Sequence, residues 1–186
     1  MRIISGEARG RKLFAPAGED TRPTSDKVRG SLFNIIGARV YDARVLDLFG
    51  GTGAMALEAL SRGAEHAVIV DAAREAIQAI ERNAQGVLKE ELALRARIIR
   101  ADYRSAIGSL SGMKFDLVFL DPPYRMVDAY ADALKQLKSI DALAEDCLIV
   151  MERLKELSVP LPEGFESYDT RNYGATSVEL VREAVR

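Results

Sequence analysis

Five short apolar runs punctuate the chain, at residues 44–49, 67–71, 95–100, 115–120 and 147–151, and helical periodicity fills the intervals between them. The clearest stripe is Ala73, Ala76, Ile77, Ile80, Ala84, Val87 and Leu88, at the three-to-four spacing of a helix that buries one face. Shorter helical segments are predicted at 54–62, stopped by Gly63, at 103–110, and around Tyr130, Ala133, Leu134 and Leu137. Strands that return through helices of this length need right-handed crossovers. The pattern therefore predicts an α/β fold with a mostly parallel sheet and helices on both faces. Residues 165–173 and 175–181 flank Gly174 and read as a closing hairpin, which brings the sheet to seven strands. With strand six parallel and strand seven antiparallel, the turn at Tyr173 and Gly174 emerges at the same sheet end as residue 121.

The first 40 residues have a different style. Runs at 2–5 and 11–14 around Gly6 and Gly10 predict a short hairpin, and Pro16, Gly18 and Pro23 predict a loop over 15–24. Ser25 or Thr24 can cap a helix carrying Val28, Leu32, Ile35 and Ile36, ending at Gly37. The chain thus divides into an extension over 1–40 and a main domain over 41–186. Net charge is −2 over 186 residues, but it is uneven: residues 1–44 hold nine Lys or Arg against five acids. That gathers positive potential at one end of an otherwise acidic chain, which suits local rather than indiscriminate nucleic-acid contact. The lone Cys147 and lone His66 exclude an internal disulfide and a Cys/His zinc site, and both read as structural. Without a long apolar run or a secretory leader pattern, the expected location is cytoplasmic.

In open parallel sheets, ligands bind beyond the carboxyl ends of the strands, so the residues just after each run carry the information. The first run leads into Asp47-Leu48-Phe49-Gly50-Gly51-Thr52-Gly53. Glycines there allow a tight turn and close backbone approach, and the helix that follows offers unpaired N–H groups. Gly51-x-Gly53-x-x-Ala56 also satisfies a relaxed dinucleotide fingerprint. Asp47 tilts the balance, since a carboxylate repels a pyrophosphate but suits a ligand bearing an ammonium group. Asp71, ending the second run, can accept both hydroxyls of a ribose. Asp102-Tyr103, after the third, fits either an adenine amine and ring or a simple helix cap.

The fourth run ends in Asp121-Pro122-Pro123-Tyr124. Proline at 122 restrains Asp121 to extended angles, and the two prolines fix the loop while bringing no N–H donors. A carboxylate and a carbonyl beside an aromatic face suit a planar base that donates both hydrogens of an exocyclic amine.

These motifs, in this order, resemble the class I S-adenosylmethionine-dependent methyltransferases of the amino-methylating kind, with a Rossmann-like fold. The blocks Met1-Arg2-Ile3-Ile4-Ser5-Gly6, Arg9-Gly10-Arg11-Lys12-Leu13, Arg22-Pro23-Thr24, Asp26-Lys27-Val28-Arg29, Leu32-Phe33-Asn34, Leu57-Glu58-Ala59-Leu60-Ser61-Arg62-Gly63-Ala64 and Arg171-Asn172-Tyr173-Gly174-Ala175-Thr176 are similar to the bacterial RsmD family of 16S rRNA guanine-N2 methyltransferases. Gly30 and Ala73 depart from it, where Glu and a second acid are common. The resemblance implies S-adenosyl-L-methionine as cofactor, held by Asp47, Phe49, Gly50, Gly51, Thr52, Gly53, Asp71, Ala72, Asp102 and Tyr103. It implies catalysis at Asp121, Pro122, Pro123 and Tyr124, without a metal. It implies contact with 16S rRNA, in an assembling or assembled small subunit, through Arg9, Arg11, Lys12, Arg22, Lys27 and Arg29. A DNA adenine-N6 methyltransferase would share the Asp-Pro-Pro-Tyr chemistry but needs a larger recognition region. A dinucleotide oxidoreductase leaves the double proline unexplained. A non-enzymatic ribosome-assembly factor retaining the fold is the rival of a different class.

Overall fold

Strands β1 (Arg44–Asp47), β2 (His66–Asp71), β3 (Ala96–Arg100), β4 (Phe115–Leu120), β5 (Leu143–Leu154), β6 (Phe165–Tyr173) and β7 (Thr176–Glu183) form one sheet in the order β3-β2-β1-β4-β5-β7-β6. The structure, a computed structural model, describes residues 1–16 and 25–185. The first five strands are parallel, and β7 runs antiparallel to both β5 and β6. The order reverses where β1 meets β4, with Asp47 opposite Phe119. A reversal of this kind opens a crevice at the carboxyl edge, because the crossovers on either side lead away from it.

Helices α1 (Asp26–Ile36), α2 (Ala54–Ser61) and α3 (Arg74–Leu88), with the one-turn α4 (Leu92–Arg95), lie on one face; α5 (Tyr103–Gly108) and α6 (Asp128–Ser139) lie on the other. Strand alternation feeds both cores. Val45, Phe119 and Val150 pack with Leu32, Leu57 and Ile80 on the first face, while Leu46, Leu120 and Ile149 pack with Ile107 and Leu134 on the second. Each such side chain contributes roughly 1.5–3 kcal/mol by leaving water.

The predicted α/β architecture holds, with differences at element ends. β1 stops two residues early, where the glycine turn begins. β5 extends well beyond 147–151 at both ends, because it pairs with β4 again at Leu143, across a register shift that holds Glu145 and Asp146, the latter at φ +61°, and with β7 as far as Leu154. A ladder is made by the main chain, and side-chain hydrophobicity marks only the buried part of it. The expected hairpin over 2–5 and 11–14 is reduced to one bridge, Arg2 to Lys12, flanked by Ile3 and Gly10 backbone bonds. The predicted loop over 15–24 falls mostly outside the described residues.

The start of the chain is fastened to the first core rather than hanging from it. Ile3 and Leu13 are buried there with Phe33 of α1. Glu58 of α2, fully buried, accepts from the Ile4 and Ser5 amides at 2.9 and 3.1 Å and from Arg62 at 2.8 Å. A side chain on Gly6 would place its Cβ 1.8 Å from the Ser61 carbonyl oxygen, and Gly6 has φ +90°, so only glycine fits. The two separated blocks around Gly6 and Ser61 are one contact.

Candidate active site

Three carboxylates meet at the crevice. Asp47 ends β1 and is 3% exposed, and its Oδ1 accepts from the Phe49 amide at 3.3 Å. Burial, ahead of the nearby charges of Asp71 and Glu152, pushes its pKa up to about 7. Asp121 follows β4 on the adjoining strand. Its residue keeps an exposed edge, yet enough protein crowds the carboxyl that desolvation, then the charges of Glu152 and Asp47, raise its pKa. Glu152 lies on β5 one residue past Met151, which pairs with Leu120, so it stands beside Asp121 across the ladder. Asp47, Asp121 and Glu152 each fall two residues after a side chain of the first core, Val45, Phe119 and Val150, so all three lie on the same face.

Sequence reasoning missed Glu152, although the signal was present. It directly follows the apolar run 147–151, as Asp121 directly follows the run 115–120.

Pro122 is buried and Pro123 exposed, and the Pro123 carbonyl accepts from Met126 in the turn that leads into α6. Tyr124 is 45% exposed, and among the described residues no ring contact to it is found. The double proline thus sets the carboxylate and the ring on a fixed edge.

The glycine turn joins the same crevice. Gly51 and Gly53 have φ +58° and +81°, and a Cβ on Gly50 would lie 2.7 Å from Ile69 Cγ2 and 3.2 Å from the Val70 carbonyl. Among the described residues nothing lies within 4 Å of a Cβ built on Gly51, so the turn is floored on one side and open to them on the other. Asp71 holds it, accepting from the Gly51 and Ala73 amides at 2.9 Å each, with Ala72 exposed between. Thr52 is fixed through its carbonyl by Asn83 of α3, which also exchanges two bonds with Phe14. Asn83 went unnoticed in the sequence; a polar residue inside the apolar stripe of α3 was the available clue. Asp102 caps α5 by accepting from Arg104 at 2.9 Å, one of its two expected roles. Tyr103 packs its ring 5.5 Å from that of Phe49 and donates its hydroxyl to Asp132 at 2.5 Å.

These residues fit a nucleoside carrying an amino acid. A buried anion suits its ammonium, an acid at a strand end suits its ribose, and an aromatic wall suits its base. The crowding at Gly50 leaves room only on the open side of the turn.

The basic residues divide. Arg9, Arg11, Lys12 and Lys27 are exposed, and Arg11 also donates to the Gly86 carbonyl at the end of α3 at 2.8 Å. Arg9, Arg11 and Lys12 line a cleft of about 820 Å³ with Lys89 and Arg95 and the acids Glu7, Glu90 and Glu91. Arg29 is a correction: it is fully buried, donating to Asp26 at 3.0 Å and to the Arg2 carbonyl, with Glu58 at 3.7 Å. Three acceptors pull the guanidinium inward, so it holds α1 to the chain start instead of meeting a phosphate. Arg22 lies outside the described residues. Tyr173, at the turn between β6 and β7, shares a 2.9 Å hydrogen bond with Ser31 of α1, and β6 being parallel sets that turn at the carboxyl edge as expected.

The reversed parallel sheet, the glycine turn and the Asp-Pro-Pro-Tyr edge define a Rossmann-like methyltransferase. A family model described as "Conserved hypothetical protein 95" matches residues 1–182, and the chain belongs to that family, the RsmD family of the sequence resemblance. YlbH of Bacillus subtilis is 40% identical over 98% of either chain. "Ribosomal RNA small subunit methyltransferase D" of Escherichia coli K12 is 37% identical over 160 residues, 86% of this chain and 78% of that one. Among solved structures, yhhF of Escherichia coli superposes with a TM-score of 0.85 at 33% identity, covering 100% of this chain and 99% of that one.

Proposed function

We propose that the protein transfers the methyl group of S-adenosyl-L-methionine to the exocyclic N2 amine of a guanine in 16S rRNA. The observation that carries this reading is the Asp121-Pro122-Pro123-Tyr124 edge standing next to the glycine turn, across the β1–β4 reversal. Support comes also from the relative named as a small-subunit ribosomal RNA methyltransferase and from the basic start of the chain.

The bound cofactor supplies an electrophilic methyl on a sulfonium. Asp47 would hold its ammonium, Asp71 the ribose hydroxyls, Asp102 and Tyr103 the adenine, and Gly50, Gly51, Thr52 and Gly53 its amino-acid portion, with Phe49 and Ala72 as walls. The chain's own task is orientation. The amine of guanine is a weak nucleophile because its lone pair is delocalised into the ring. Asp121 and the Pro122 carbonyl accept its two N–H bonds, which turns the lone pair toward the methyl and stabilises positive charge as the C–N bond forms. Tyr124 stacks on the base. The raised pKa of Asp121 suits it to take the proton released after transfer. Arg9, Arg11, Lys12 and Lys27 are placed for phosphate contacts, in a protein working in the cytoplasm on free RNA or small subunits.

The test is transfer of labelled methyl to small subunits lacking the modification, followed by nucleoside analysis. N2-methylguanosine, lost in Asp121→Ala, is the expected product. N6-methyladenosine, or an unchanged rate in Asp121→Ala, overturns the reading. No transfer at all with intact cofactor binding returns the assembly-factor alternative.

A further inference from the structure

We propose that Arg82, backed by the ring of Phe14, binds a phosphate of the RNA strand beside the target guanine. The inference rests on the function proposed above and deepens it, adding a substrate contact on α3 to those of the basic chain start.

Among the described residues four arginines lie over aromatic rings: Arg62 over Phe33, Arg82 over Phe14, Arg104 over Tyr103 and Arg182 over Tyr168. Three of them also pair with an acid at 2.8 Å, Arg62 with Glu58, Arg104 with Asp132 and Arg182 with Glu166. Arg82 has no carboxylate or hydrogen-bond partner among the described residues, and its helix gives the reason. Its neighbours three and four positions away on α3 are Gln78, Ala79, Gln85 and Gly86, none of them acidic. The guanidinium carbon stands 4.2 Å from the centre of the Phe14 ring, and both residues are exposed, Phe14 by 42%. A guanidinium resting on a ring keeps its fork of N–H donors and has less freedom to lose when an anion docks.

The ring is not needed to fasten the chain start to α3. Asn83 already accepts from the Phe14 amide at 2.7 Å and donates to the Phe14 carbonyl at 2.9 Å. The same Asn83 nitrogen donates to the Thr52 carbonyl at 2.9 Å, so one amide joins the Phe14 backbone to the glycine turn. Helix α3 starts from the carboxyl edge and packs over β2 and β3, and two strand spacings, about 10 Å, separate β2 from β4. A strand with its guanine turned in beside Asp121 reaches α3 within a few nucleotides. Further along the same seam Arg11 donates to the Gly86 carbonyl at 2.8 Å. Arg82 precedes Gly86 by about one helical turn, roughly 6 Å, on the side nearer the crevice. The two arginines make a row that begins close to the glycine turn. An RNA backbone, charged at every nucleotide, matches such a row, whereas a small anion would occupy one end of it.

The experiment uses the full chain and small subunits lacking the modification. It measures kcat and KM for the subunits, the slope of log affinity against log salt, the Kd for S-adenosyl-L-methionine by calorimetry, and the urea midpoint. Arg82→Gln should raise KM about tenfold and flatten the slope by about 0.7–0.9, with cofactor Kd and urea midpoint close to those of the wild type. Arg82→Lys keeps the charge but not the fork, so it should keep the wild-type slope while KM still rises. Phe14→Leu leaves the backbone bonds to Asn83 in place and removes the backing. It should raise KM severalfold by itself and add little when combined with Arg82→Gln. An unchanged slope and KM in Arg82→Gln overturn the inference. So does a cofactor Kd that rises in step with KM, which would assign Arg82 to the cofactor carboxylate, or a urea midpoint that falls in proportion to activity, which would make the pair packing alone. If the wild type forms no N2-methylguanosine, the function proposed above fails, and this inference with it; the normal product with an unmoved slope refutes this inference alone.

Discussion

Replacing Asp47 by Asn should make the ligand-free protein more stable and its cofactor weaker at once. The carboxyl is fully buried, and its pKa is raised from 3.8 to about 7, chiefly by lost solvation. At about 1.4 kcal/mol per unit, the charged form costs the folded state about 4 kcal/mol. An acid with a raised folded pKa binds more protons folded than unfolded, so its contribution is fully present below 3.8 and is lost as pH climbs to about 7. Asn is neutral throughout and nearly the same shape, and its carbonyl can still accept from Phe49. The variant should match the wild type near pH 4 and exceed it by up to about 4 kcal/mol above pH 7, a gain of roughly 1–2 M in urea midpoint. Relief of Asp121, which also feels the Asp47 charge, acts in the same direction. Calorimetry should show the opposite sign for S-adenosyl-L-methionine, with affinity about ten- to hundredfold lower in Asp47→Asn. Wild-type affinity should itself fall as pH drops below about 7, where Asp47 takes up its proton. Parallel stability curves for the two proteins from pH 4 to 8.5 would refute the argument.

Arg29→Met should cost about 3 kcal/mol in urea unfolding, since Glu58 stays buried with less compensation; no loss would mean that the Arg29–Glu58 contact is energetically idle. The folded remainder of that variant should keep the wild-type salt dependence of RNA binding, whereas Lys12→Ala, at an exposed cation, should flatten the slope of log affinity against log salt by about 0.9 or less. An unchanged slope in Lys12→Ala removes that side chain from the RNA interface. Tyr124→Phe should retain most of kcat/KM and Tyr124→Ala lose about ten- to hundredfold, because stacking needs the ring and not the hydroxyl; equal losses would point to the hydroxyl instead.

The sequence by itself determined the alternation of strands and helices, the hairpin at its end, and the places where chemistry sits. Those are local properties: the period of apolar residues, the backbone limits of glycine and proline, and the acids that follow apolar runs. The Asp-Pro-Pro-Tyr edge could be located from residues 115–124 alone, because proline fixes backbone angles whatever surrounds it. Tertiary structure decided which side chains spend their charge inside. Arg29 and Arg9 look alike in sequence, but packing α1 against Glu58 buries one, while Arg9 stays on an exposed turn. It likewise decided that Glu152 belongs with Asp121, which lies 31 residues earlier and next to it only because β4 and β5 pair in parallel. Register and burial arise between segments distant along the chain, and the desolvation that moves Asp47 exists only once other segments have displaced its water.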